Sequence, residues 1–78
     1  MLFRSHQDVA IYASILGEGE AIEHLTAAGR SAWLQVARGA VVVNGQRLDE
    51  GDGAAIEGEA AITIRGASES EVLLFDLA

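Results

Sequence analysis

The chain has 78 residues, with twelve acids against five arginines, no lysine and a formal net charge of −7. So acidic a field repels phosphate backbones and anionic membranes, which excludes nucleic acid and a membrane surface as partner classes. With no cysteine in the sequence, neither a disulfide framework nor a thiolate zinc site is available.

The length allows one domain, residues 1–78, and a small one. A chain of this size buries only roughly 60–65% of the surface its unfolded form exposes. Half of its residues are nevertheless hydrophobic. Oligomerisation is a common remedy for a thin core, so a homodimer or a separate partner domain is expected. Met1-Leu2-Phe3-Arg4 opens no signal peptide, because no long apolar run follows the basic residue. An apolar run such as Ala40–Val43 is far too short for a bilayer span. The cytoplasm is the default location.

Asp8–Leu16 alternates, with Val9, Ile11, Ala13 and Ile15 on one face and Ala10, Tyr12, Ser14 and Leu16 on the other. Both faces carry apolar residues, so this strand is expected to be buried on both sides or to lie at an interface. Gly17-Glu18-Gly19-Glu20 reads as a turn. Ala21–Ala28 favours helix by propensity, but flanking glycines leave room for only about two turns. A short strand running into a loop is expected there, with a helical turn as the alternative. In Ser31–Ala37, Ala32, Leu34 and Val36 alternate with Trp33, Gln35 and Ala37, which reads as strand.

Ala40–Val43, Asn44-Gly45 and Gln46–Leu48 form a hairpin. Asn-Gly is the preferred pair for a two-residue type I′ turn, whose two positions both need positive φ. Leu48–Gly53 is a loop, Ala54–Glu57 a strand and Gly58-Glu59 a turn. Ala60–Arg65 alternates with Ile62 and Ile64 on one face. Gly66–Ser70 is a polar loop, and Glu71–Leu77 is the last strand. About eight short strands with regular turn signals describe an all-β barrel or sandwich, and a double-sheet jelly roll manages that many naturally.

The stretch WLQVARGAVVVNGQRLDEGDGAAI, a strand ending in glycine, a hairpin, then Gly51-Asp52 leading into the next strand, resembles the middle of a cupin. From about Ser5 to Ala78, including the closing EVLLFDLA, the chain resembles the C-terminal cupin domain of bacterial pirin-like bicupins, a group associated with quercetin 2,3-dioxygenase activity. The resemblance implies a cupin-type double-stranded β-helix (jelly roll). It also implies that the metal sits in the N-terminal half of the two-domain family, a half outside this sequence.

Metal-binding cupins use G-x5-H-x-H-x4-E-x6-G and G-x5-P-x-G-x2-H-x3-N, with three imidazoles and a carboxylate around one divalent metal. H-x-H is required because strand side chains two apart share a face. Laid on Gly19 and Gly39 without gaps, the first motif puts its ligand places on Leu25, Ala27 and Ala32. The second motif, begun at Gly51, puts its histidine place on Ile62. None of the four can ligate a metal, so no metal and no cofactor is expected. His24 stands one place before the first ligand position, and on this frame it turns to the opposite face. His6 pairs with nothing by spacing.

Asp49, Glu50 and Asp52 fail the calcium-loop pattern and read as a turn in which Asp52 bonds local N–H groups. No serine has a nucleophile-elbow context. Trp33 alternates against Ala32 and so packs on the other side of its sheet, as a core residue or as an interface anchor. Phe3, Tyr12 and Trp33 are the candidate interface residues. The leading expectation is a non-catalytic cupin module acting in assembly, as a homodimer or docked on a separate metal-bearing cupin. The alternative is a small-molecule-binding or quercetinase-like cupin with an apolar cavity at Leu25, Ala27, Ala32 and Ile62.

Overall fold

A computed structural model describes residues 9–77. They form eight strands: β1 (Val9–Leu16), β2 (Ala21–Leu25), β3 (Ser31–Arg38), β4 (Val41–Val43), β5 (Gln46–Leu48), β6 (Gly53–Glu57), β7 (Ala61–Gly66) and β8 (Ser70–Leu77). No helix of the described residues is long and apolar enough to cross a membrane. The segment after Gly19 is strand and then loop, as its glycine boundaries require, and not a helical turn.

The strands make two antiparallel four-stranded sheets, β1-β8-β3-β6 and β2-β7-β4-β5, called sheet A and sheet B here. Sequence neighbours are shared out between the sheets, the topology of a jelly roll. The alternation of each strand decides which residues meet between the sheets. Leu34, Val36, Val72 and Leu74 from sheet A face Val41, Val43, Leu48, Ile62 and Ile64 from sheet B, and all nine are buried. Ile62 and Ile64 are completely enclosed, the consequence of their shared face on β7.

Two local features hold this register. Asn44 and Gly45 have φ of 47° and 86°, the pair of positive values that a type I′ turn demands. The hairpin that follows sets Val41 opposite Leu48 and Val43 opposite Gln46. Gly39, the second glycine of the cupin pattern, has a φ of 74°. A Cβ at that place would also collide with the Glu69 carbonyl, so both backbone and space exclude a side chain there.

β1 departs from the expectation of burial on both sides. It is an edge strand, paired only with β8 along Val9↔Leu77 to Leu16↔Ser70. Of its residues only Leu16 is buried, while Ile11 and Ile15 are 60% and 69% exposed.

Candidate functional site

Two places on this scaffold carry chemistry or contact potential: the inner face where metal-binding cupins hold their ion, and the outer face of sheet A.

At the first place, strand pairing corrects the gap-free motif frame. His24 is the antiparallel partner of Ile62, and Leu25 the partner of Ala61. Directly paired residues share a face, so His24 points inward with the fully buried Ile62. Leu25 points outward and is 71% exposed. Ala27 is exposed in the turn closed by Arg30 N–H donating to the Ala27 carbonyl at 3.2 Å. Ala32 and Ile62 are inward as the frame places them, but they are packed into the core at 3% and 0% exposure. The four former ligand places therefore do not converge. Phe3 and His6 lie outside the described residues.

What converges instead is polar. Asp76 is the β8 partner of Ala32 and continues the inward series Val72, Leu74, Asp76. It is 7% exposed. Arg30 Nε donates to Asp76 Oδ1 at 2.5 Å, and the Arg30 guanidinium also donates to the Asp76 carbonyl at 3.2 Å. His24 Nε2 lies 2.7 Å from Asp76 Oδ2. The hydrogen bond from Arg30, then that from His24, hold the Asp76 carboxyl below its usual pKa against the opposing effect of burial. An ionised carboxylate only accepts, so His24 donates through Nε2–H. Tyr12, from the inward face of β1, leans on the imidazole with ring centroids 5.0 Å apart. β2 of sheet B, β8 of sheet A and the β2–β3 turn are thus tied together by one carboxylate.

This cluster does not fit a divalent metal. Its donors, His24 and Asp76, are bonded to one another, and the Arg30 guanidinium already occupies the carboxylate as a fixed positive charge. Among the described residues, no group of three His, Cys, Asp or Glu gathers. Ala32 and Ile62 are packed with the core side chains between the sheets. A cleft of about 280 Å³ opens between the unpaired edges of β5 and β6 instead, with Val43, Leu48, Ala54 and Ile56 in its lining.

The depressed pKa has a consequence for stability. A carboxylate whose pKa is lower folded than unfolded stabilises the fold above its unfolded pKa of about 4, and loses that contribution as pH falls through the folded value. In acid unfolding curves the wild type is expected to be more stable than Asp76→Asn by a steady margin above pH ~4, a margin that shrinks as pH falls below that value and vanishes only below the folded pKa. Curves that stay parallel throughout would show that Asp76 does not carry this linkage.

The second place is the outer face of sheet A. Cross-strand register builds its rows from β1, β8, β3 and β6: Val9–Leu77–Ser31–Glu57, then Ile11–Phe75–Trp33–Ala55, then Ala13–Leu73–Gln35–Gly53. The two inner rows carry no charge. At the far end, Arg38 and Glu71 pair at 3.5 Å. Trp33 lies on this outer side, as its alternation against Ala32 requires, and is 40% exposed. Its Nε1–H donates to Gln35 Oε1 at 3.3 Å, and Gln35 Nε2 is itself anchored on the Gly51 and Asp52 carbonyls at 3.1 Å. A Cβ at Gly53 would run into the Trp33 ring, so this glycine makes the bed on which the indole lies. Tyr12 is on the inner side with His24 and takes no part in this face.

Two sheets in this order, with the cupin glycines at their turns and a salt-bridged cluster beside Ala32 and Ile62, define a cupin domain whose described residues do not gather the cupin ligand set. The chain belongs to the quercetinase C-terminal cupin domain family, whose model matches residues 3–77. It is 47% identical over 72 residues to a quercetin 2,3-dioxygenase of Escherichia coli K12, covering 92% of this chain and 31% of that protein. It is 39% identical over 71 residues to a pirin-like protein of Caulobacter vibrioides, covering 91% of this chain and 31% of the relative. Among solved structures, Escherichia coli YhhW superposes with a TM-score of 0.91 at 46% identity, covering 95% of this chain and 32% of that one. A structure of the same bacterial pirin in complex with nickel(II) gives a TM-score of 0.90 at 46% identity, covering 94% and 32% of the two chains. The chain thus spans about a third of the length of these relatives.

Proposed function

We propose that this chain is a non-catalytic cupin module, the counterpart of the C-terminal half of a pirin-like bicupin, and that it acts in assembly rather than in turnover. One observation carries this reading. Where metal-binding cupins converge three imidazoles and a carboxylate, this chain has Asp76 neutralised by Arg30 and His24, beside the packed side chains of Ala32 and Ile62. In this reading the dioxygenase chemistry named for the longer relatives belongs to parts of those proteins that the chain does not match. Oxygen chemistry of that kind is carried by a metal or cofactor, with the protein supplying its binding and orientation.

The test is metal content. Tag-free protein is exposed in turn to iron, manganese, nickel, copper and zinc, desalted and analysed by elemental mass spectrometry. Far less than stoichiometric metal is expected in every case. A stoichiometric metal that disappears in His24→Ala would overturn the reading and restore a metal centre on the inner face.

A further inference from the structure

We infer that the outer face of sheet A is a self-association surface, and that its occupant is a second copy of this chain related by a two-fold axis parallel to the strands. The inference rests on the assembly reading above and names its partner.

The two sheets treat their outer faces differently. Sheet B turns outward Glu23, Thr63, Arg65 and Arg47, along with Leu25 and Val42. That is the ordinary state of an antiparallel sheet with one wet side. Sheet A turns outward Val9, Ile11, Ile15, Leu73, Phe75, Leu77 and Trp33. Of these, Val9, Ile11, Ile15 and Trp33 are 43%, 60%, 69% and 40% exposed. Four strands about 4.8 Å apart and roughly 24 Å long give a face on the order of 450 Å². Glu57 stands at one end of this face and Arg38 with Glu71 at the other, so the apolar part is the two charge-free rows between them. Two such faces in contact remove roughly 900 Å² in all, the size of a weak and reversible interface.

Three features favour a second copy. First, the surface is self-complementary in height. The β1 side stands proud at Ile11, while the β6 side is low at Ala55 in the same row. A two-fold axis along the strands lays β1 of each copy over β6 of the other and β8 over β3, so the high side of each meets the low side of its partner. Second, the chain's charge of −7 is kept off the two inner rows, so like-charged copies meet without bringing carboxylates together. Third, Trp33 is held in place before any contact is made, by Gln35 on one side and the glycine bed on the other. A fixed indole loses little entropy on binding, which is the property of an interface anchor.

Sedimentation velocity over a range of concentrations tests this. The wild type is expected to show a monomer–dimer equilibrium that strengthens with added salt, because screening relieves repulsion between two acidic bodies. Ile11→Lys and Trp33→Lys are each expected to weaken dimerisation by at least about tenfold. Leu25→Lys, on the outer face of sheet B, is expected to leave it unchanged. Circular dichroism checks that each variant is folded.

A milder pair keeps the test decisive if the lysine variants do not fold. The chain has no cysteine, so Ile11→Cys and Ala55→Cys can be made separately and mixed. A short bis-maleimide, able to span sheets about 10 Å apart, is expected to join the mixture far faster than either variant alone. A wild type that stays monomeric throughout would overturn the proposal. So would a dimer indifferent to both lysine variants, or one weakened by salt as for an oppositely charged partner. Metal content and oligomeric state are separate readouts: a metal-loaded dimer would sink the non-catalytic reading alone, and a metal-free monomer the dimer alone.

Discussion

Asp76→Ala is expected to cost about 3–5 kcal/mol of folding stability, the range for breaking one partner out of a buried ion pair. A domain of this length has roughly 4–12 kcal/mol to lose, so the variant should be close to unfolded at 37 °C. The size of the effect comes from what remains behind. Arg30 and His24 have side chains only 18% and 17% exposed, and the deletion takes from both the carboxylate that they share. Asp76→Asn keeps an acceptor for Arg30 while losing the charge, and should fall between wild type and alanine. Urea denaturation in neutral buffer orders the three. A loss below about 1 kcal/mol for Asp76→Ala would mean that the cluster behaves as a surface ion pair, and that the two sheets do not depend on it.

Leu34→Ala is expected to cost about 2–5 kcal/mol by removing transfer energy and leaving a cavity. Leu34 is 0% exposed and sits in the middle of sheet A, opposite Leu74 on one side and Ala54 on the other. Its neighbour β8 is held in register on both edges, by β1 and β3, so it has little freedom to collapse into the space. Leu34→Ile keeps the volume and should cost less than about 1.5 kcal/mol. The same denaturation experiment reads both. Equal losses for the two variants would point to shape rather than volume as the determinant at this position.

Most of the architecture was legible in the chain. Asn44-Gly45 declared its hairpin, and the alternation in β3 and β7 sorted their residues between the two faces. The face of β2 was not legible. A motif laid without gaps put Leu25 inward, but a strand's facing is fixed by its partner, and the pairing of His24 with Ile62 spans 38 residues. The β2–β3 turn is one residue longer than the motif allows, and a one-residue slip flips every side chain. Asp76 could have been found: it follows Val72 and Leu74 at the same parity, and a carboxylate on the inward side of an apolar strand needs partners. Arg30 as that partner could not, because nothing local links the residue after Gly29 to the end of β8. The resting place of Trp33 on Gly53 was hidden for the same reason.

The position of β8 bears on how the domain comes into being. It is the last strand in sequence, yet it lies inside sheet A, with β1 on one side and β3 on the other. A nascent chain leaving the ribosome therefore presents β1 with no neighbour and β3 with β6 alone until Ser70–Leu77 has emerged. Sheet B, whose strands β2, β7, β4 and β5 all precede it, can be completed earlier, but its apolar inner side then waits uncovered. Folding is held back until β8 has been made, when a contact between Val9 and Leu77 closes nearly all of the described residues into one loop. Such non-local closure places the domain among slow β-rich folders, on a timescale of milliseconds to seconds.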